Sequence, residues 1–472
     1  KFMTQTIDFP QQVTRHPPLQ QLADRLRMGG LSAIELYQDC SQADHHDAYI
    51  TGRDEAAGMP GLAQAQAADA ALKAGHDLGP LMGLPYGLKD LYGYPDLPVY
   101  AGSDKALPPP WQRPGPLVQA VRRQLGVLMG KTHTVCFAFG GVGLNSQWAT
   151  PKNPWDTDHH RAPGGSSSGS GVSVAEGSSL YAFGTDTAGS VRIPASVNGL
   201  VGYKSTAGVM STEGIVPLST TLDSAGFLTR SVADACFVTQ ALLPHLDLSG
   251  IAAPSQIKIQ AVTGRFIEDT DPSILAVYQR ALDVLGPVVR QVISHPSQVA
   301  EDALALFEAG SVVGVELAAR LDNQLPDWWE GLDPLVASRI AASREMQAHT
   351  YLDRRYQIQA LTAAMTHSLE DQGVDVLVLP SLPISPPVLD ELTSDDDGAA
   401  YRAANMAMLR NTCFANITGM CGLSLPIGLD DNGMPVGLQL LAPGGKDAQL
   451  LAIGRGLEVV FAQADLWPSY TG

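Results

Sequence analysis

Apolar residues first recur at helical spacing at Leu19, Leu22 and Leu26, and that run stops at Gly29-Gly30. Ser32-Ala33-Ile34-Glu35 has the form of a capping box and predicts a second helix to about Gln42. The alanine-rich residues 60–74 predict a third, and the polar, proline-punctuated residues 4–18 an extended arm. Leu84–Leu88 reads as a strand or approach segment delivering Lys89. Residues 92–116 carry seven prolines and little periodicity, which predicts a long surface loop able to wall a pocket. Leu117–Leu125 is an amphipathic helix, Val127-Leu128-Met129 a buried strand, and Val172–Phe183 a short helix running into another. A helix over Ser231–Leu243 is followed by a connection over 245–256. Residues 257–350 read as mostly helical, broken at Pro326-Asp327-Trp328-Trp329. Val374–Pro380 predicts a central strand, and Ser424–Ile427 and Val436–Leu441 two more across the turn Asp430-Asp431-Asn432-Gly433. Strands alternate with helices, so the class is α/β, and without a repeat or a clear linker the 472 residues read as one domain.

Composition narrows the partners. Thirty Lys+Arg against forty-eight Asp+Glu leave a net charge of −18, which disfavours nucleic acid and anionic membrane. With 45% hydrophobic and 17% charged residues the chain has the make-up of an ordinary globular protein. Five dispersed cysteines (Cys40, Cys136, Cys236, Cys413, Cys421) without a CxxC pair read as buried thiols in a reducing cytosol. No apolar run is long enough to span a bilayer, and no signal-peptide core is present, so a cytoplasmic location is expected. Lys1-Phe2 ahead of Met3 reads as an addition before the natural start.

The chemistry concentrates in residues 163–204. Two small-residue loops, Gly164–Gly171 and Gly184–Ser190, flank apolar residues that a flexible serine-glycine linker would not carry, so a folded site is the better reading. Ser190 follows Thr187-Ala188-Gly189, which places a row of backbone N–H groups beside its hydroxyl, as an acyl-transfer nucleophile requires. A serine hydroxyl needs a base, yet no histidine falls within this stretch; His133, His159 and His160 lie outside it and suit core or surface roles. A lysine is ordinarily an exposed charge and serves as a base only where burial keeps it neutral. Lys89, in Gly87-Leu88-Lys89-Asp90-Leu91, has an apolar approach, but on these residues alone it reads as an exposed charge.

These residues resemble the amidase signature family, whose core reads GGSS and then GTDxGGSxRxP. Ser166 and Ser190 stand 24 positions apart, and Arg192 and Pro194 follow in step. Gly83-Leu84-Pro85-Tyr86-Gly87-Leu88-Lys89-Asp90 is similar to the family's G-x-P-x-x-x-K-D segment. The likeness continues through Gly130-Lys131-Thr132, Thr150–Asp156 and Pro435-Val436-Gly437-Leu438-Gln439, over about residues 20–460. The resemblance implies a central mixed, twisted β-sheet covered by helices on both faces, with the signature core at about 80–210. A more variable helical pocket region would lie at about 245–350.

It also implies a Ser-Ser-Lys triad: Ser190 as nucleophile, Ser166 in a cis peptide as proton relay, and Lys89 as base. The backbone N–H groups of Thr187, Ala188, Gly189 and Ser190 would form the oxyanion hole, and Asp186 and Arg192 a supporting pair. Phe139, Gly140, Gly141 and Val142 would line the acyl pocket, with Trp111, Trp328 and Trp329 as candidates for its mouth. No cofactor and no metal is implied. The substrate class is a small amide or carbamate, of the urethane or aryl acylamide kind, turned over by a monomer or homodimer through an acyl-enzyme. Residues 211–224 resemble a stretch shared with allophanate and related carbamoyl hydrolases. The rival readings are an amidotransferase component that hydrolyses glutamine to feed a partner with ammonia, and a non-catalytic binding member.

Ala188 departs from the family's commoner glycine and would resist a positive φ. Tyr203-Lys204-Ser205 departs from Leu-Lys-Pro. Two other motifs are rejected. Gly165-Ser166-Ser167-Ser168-Gly169 fits GxSxG but follows Ala162-Pro163-Gly164 rather than a strand. Gly126–Thr132 is one residue short of a Walker A loop and lies on a strand.

Overall fold

Among the described residues, ten short strands join in one sheet. They are β1 (Pro85–Lys89), β2 (Val127–Thr132), β3 (Tyr181–Asp186), β4 (Val201–Lys204), β5 (Ser224–Thr229), β6 (Lys258–Val262), β7 (Gln291–His295), β8 (Val376–Pro380), β9 (Cys421–Leu429) and β10 (Pro435–Ala442). The computed structural model describes residues 9–14, 16–50, 60–310, 312–393 and 398–467. The strand order is β2-β1-β3-β5-β4-β9-β10-β8-β6-β7. β2, β1 and β3 run parallel, the strands from β3 through β5, β4, β9 and β10 to β8 pair antiparallel, and β8, β6 and β7 are again parallel. The sheet is therefore mixed, as expected. Every residue of β1, β3, β4, β5, β8 and β10 is buried, which requires cover on both faces.

The helices predicted from periodicity occupy Leu19–Arg27, Ala33–Gln42, Gly61–Lys73, Pro116–Arg123 and Val232–Leu242. The capping box closes in both directions: Glu35 N donates to Ser32 Oγ at 3.1 Å and Ser32 N to Glu35 Oε2 at 2.8 Å. All five cysteines are buried and unpaired. Of the predicted arm, residues 4–8 and 15 lie outside the described residues. Within it, Thr14 N donates to Ala175 O at 3.0 Å, so the arm is docked on the helix that follows the first serine loop.

Two expectations are corrected. Residues 92–116 are a surface loop only in part: Tyr92, Tyr94, Leu97, Val99 and Leu107 are core, while Asp104, Lys105, Pro109, Pro110 and Arg113 are exposed and Pro109–Gln112 makes a 3-10 turn. The prolines keep to exposed and half-buried positions, while the apolar and aromatic residues between them turn inward. Gly93 N donates to Gly214 O at 2.8 Å, and a Cβ on Gly115 would collide with Glu213 O, so this segment and residues 213–214 are in backbone contact.

The helix after the serine loop spans Ser168–Glu176, starting four residues before Val172. It is buried along its whole length, and packing outweighs the poor helix propensity of its Ser-Gly-Ser-Gly start. The region 257–350 is mostly helical, as expected, and also holds β6 and β7; β4 and β5 have no periodic signal. Strands covered on both faces lose the two-residue alternation that marks a strand in sequence. Among the described residues no helix is long and apolar enough to cross a membrane.

Candidate functional site

β1 and β3 are parallel neighbours, with Leu88 opposite Phe183, so their carboxyl ends lie side by side. In open sheets such ends are where ligands bind. β1 delivers Lys89 there and β3 delivers Thr185 and Asp186. Lys89 Nζ donates to Ser166 Oγ at 2.7 Å and to Thr185 Oγ1 at 2.8 Å. All three are buried, Lys89 and Ser166 completely. Burial lowers the Lys89 ammonium to about 7, against the opposing pull of Asp186 and Asp223. The Gly165–Ser166 peptide is cis.

The turn between β3 and the short helix Arg192–Val197 carries Ser190 and is tied down from below. Asp186 accepts from Gly189 N at 2.9 Å and Val191 N at 3.2 Å. The guanidinium of Arg192 grips it through Nη2 at 2.8 Å and Nε at 3.0 Å. Burial alone would raise the Asp186 carboxyl; Arg192 outweighs it and holds the group below the usual carboxylate range. Arg192 reaches on to Thr412 O, Gln439 Oε1 and Asn416 Oδ1. Asp186 and Arg192 thus form the core of a network linking β3, β10 and the helix Cys413–Ile417. Gly189 has φ +124°, and a Cβ there would collide with Thr412 Oγ1, so glycine is required twice over. Ala188 keeps an ordinary negative φ; the positive φ falls on Gly189, and the alanine carries no backbone penalty.

Because Gly189 N is engaged by Asp186, the N–H groups of Thr187, Ala188 and Ser190 remain as candidate oxyanion donors. This corrects the four-donor expectation by one. Thr187 Oγ1 donates to Asp223 Oδ1 at 2.6 Å, and Asp223 also accepts from Leu218 N and Ser219 N. Its burial raises the carboxyl to about 6.

Above this turn opens a cavity of about 290 Å³, to which Thr187, Ala188 and Ser190 contribute the floor. Phe139 and Gly140 line it, whereas Gly141 and Val142 stand behind it and accept from Gly165 N at 2.7 Å and Gly164 N at 3.1 Å. The far wall comes from Phe307, Val313 and Arg339 within the region 245–350, and from Asn405 and Leu409 of the helix Ala399–Arg410. That helix was missed as pocket wall, and no spacing in it signalled the role. Trp111, Trp328 and Trp329 do not line the cavity; Trp328 Nε1 donates to Ser103 Oγ and Trp329 Nε1 to Asp322.

The histidines stay apart as expected. His133 is buried against Trp148, its imidazole lowered to about 4 by burial, and His159 contacts Asp156. Ser167 of the GxSxG match precedes a helix and accepts from Thr185 N. Lys131, of the Walker-like segment, is buried 3.2 Å from Asp90. Thr412 and Asn416 escaped sequence reasoning, and Thr185 and Asp223, though within stretches of family likeness, were given no role by it. Gln439 lay in a segment of family likeness, and that likeness was the signal for it.

Residues 40–451 match the Amidase family. The 2-amino-5-chloromuconic acid deaminase of Comamonas testosteroni is 45% identical over 95% of this chain and 97% of that protein. A glutamyl-tRNA(Gln) amidotransferase subunit of Mycolicibacterium gilvum is 31% identical over 93% and 96%. A crystal structure of an amidase superposes with a TM-score of 0.82 at 32% identity, covering 94% of this chain and 99% of that one. The matched fold, the mixed ten-stranded sheet and the extent of the family match agree: the chain belongs to the amidase signature family, a hydrolase acting on C–N bonds.

Proposed function

We propose that the chain hydrolyses the C–N bond of a small amide or carbamate through Ser190, Ser166 and Lys89. The observation that carries this reading is a fully buried, neutral-prone lysine held 2.7 Å from Ser166 Oγ, in a chain whose Ser190 lines the cavity. In the reaction Ser190 Oγ attacks the carbonyl carbon while its proton passes to Ser166 and the proton of Ser166 passes to Lys89 Nζ. The N–H groups of Thr187, Ala188 and Ser190 stabilise the oxyanion, a donor of this kind typically contributing about 3–4 kcal/mol. Collapse breaks the C–N bond, and the proton returns from Lys89 through Ser166 to the leaving nitrogen. Water then attacks the acyl-Ser190 ester along the same path.

A second reading, favoured by the 45% identical Comamonas relative, is hydrolytic removal of an amino group from a small unsaturated amino acid. The amidotransferase reading draws on a more distant likeness, at 31%.

One panel separates the three: p-nitroacetanilide, an aryl carbamate, 2-aminomuconate and glutamine, each with wild type and Ser190→Ala. Turnover of the anilide or carbamate that disappears in Ser190→Ala supports the first reading. Turnover of 2-aminomuconate alone would replace it with the second, and glutamine turnover that needs added partner protein with the third. For the reactive substrate, kcat/KM should rise as pH passes upward through about 7, because the protonated lysine cannot accept a proton. A profile flat from pH 5 to 9 would remove Lys89 as the base.

A further inference from the structure

Glu316, on the helix Val312–Gln324, does not line the cavity and has no part in the hydrolytic step. It is buried, and its two oxygens close on Ser219-Thr220-Thr221. Oε2 accepts from Ser219 Oγ at 2.8 Å, Thr221 N at 3.2 Å and Thr220 Oγ1 at 3.3 Å. Oε1 accepts from the Thr221 hydroxyl and, at 2.8 Å, from the Tyr351 hydroxyl. Burial alone would raise the carboxyl; the donors from Thr221, Ser219 and Tyr351 outweigh it and hold the group below its ordinary value. Arg320, one turn further along the helix, donates to Pro217 O, so the same helix also grips the chain just ahead of these residues.

The inner side of this segment belongs to Asp223. It accepts from Leu218 N at 2.9 Å and Ser219 N at 3.0 Å, and its Oδ1 takes the Thr187 hydroxyl at 2.6 Å. Residues 218–222 thus stand between two carboxylates, and hydrogen bonds to an ionised acceptor are about twice as strong as neutral ones. Asp186 fixes the Gly189–Val191 end of the serine turn, whereas Asp223 fixes its Thr187 end. The helix of Glu316 also supplies Val313 and Gly314 to the cavity wall, so the wall and the Thr187 end of the turn share one support.

We infer that Glu316 is a positioning residue for acyl transfer at Ser190: by fixing residues 218–222 it holds Asp223, and through Asp223 it keeps the Thr187 N–H aimed at the developing oxyanion. The inference rests on the reading of Ser190 as nucleophile. Because the oxyanion forms only in the attack, loss of Glu316 should appear in the rate of attack.

The test is the rate at which phenylmethylsulfonyl fluoride labels Ser190 in folded protein, read by mass spectrometry; a sulfonyl oxygen takes the place of the oxyanion in that step. Glu316→Ala should lower the rate at least tenfold, against about 10²–10³ for outright loss of an oxyanion donor. Glu316→Gln, which keeps one acceptor oxygen, should recover part of it. Thr187→Val cuts the link to Asp223, so in that background Glu316→Ala should cost less than about threefold. A merely structural role would give the same factor in both backgrounds. That result, or an unchanged rate in Glu316→Ala, overturns the inference. If Glu316→Ala does not fold, Glu316→Gln with and without Thr187→Val decides by the same comparison. Absence of labelling at wild-type Ser190 would instead strike the nucleophile reading. Amide hydrogen exchange of the peptide carrying Thr187–Ser190 then judges the positioning on its own: it should be faster in Glu316→Gln than in wild type, and equal exchange overturns the inference.

Discussion

Lys89 is held out of water with two hydroxyls as its hydrogen-bond partners, an arrangement that favours its neutral form. The group carries a stability cost as well as a catalytic use. With its folded value near 7 and an ordinary value of 10.5, the unfolded chain binds this proton between those limits and the folded chain does not. The penalty is full below about pH 7 and fades as pH rises to about 10.5, at up to about 1.4 kcal/mol per pH unit. Lys89→Met removes the ionisable group and with it this dependence. In urea unfolding at pH 7, 8.5 and 10, wild type should gain on the variant at each step, while the variant has no turnover. A constant difference across the three pH values would mean that the lysine is charged in the folded state throughout. Serine, lysine and arginine positions of the site were legible in the sequence because their motifs are contiguous. Arg339 was not, since an arginine in an amphipathic helix has the same local signature whether it faces solvent or a cavity.

The elements around the serine turn act as a clamp. Asp186 at the end of β3 accepts from the turn on one side, and Arg192 extends the hold to Gln439 on β10 and to Asn416. Arg192→Met should leave a buried carboxylate unpaired and cost about 3–5 kcal/mol, seen as a lower denaturant midpoint. Asp186→Asn in the same background should recover part of that loss; no recovery would show that the two residues do not act as a pair. At this scale sequence reading succeeded where a pattern was local: the capping box at Ser32, the turn at Asp430–Gly433, the strand before Lys89. It failed for β4 and β5, whose glycines and serines pack against covered faces and show no alternation. It succeeded only in part for residues 92–116, whose prolines lie at exposed or half-buried positions while Tyr92, Tyr94, Leu97 and Val99 between them are core.

Across the molecule, the last two strands of the chain occupy the middle of the sheet. β9 pairs with β4 and β10 with β8, so the C-terminal hairpin joins the β2–β4 half, which holds the site, to the half made by β8, β6 and β7. A chain ended before Cys421 should therefore expose the edges of both β4 and β8 and fail to give soluble, cooperatively unfolding protein. A soluble product with a sharp thermal transition would show that the β2–β4 half folds without the hairpin. The same placement sets an order of events during synthesis. The two serines and the lysine leave the ribosome well before Asn416 and Gln439, which brace the turn bearing Ser190. The nascent chain thus carries its reactive hydroxyl unbraced until Asn416 and Gln439 have followed, and only then is the site completed.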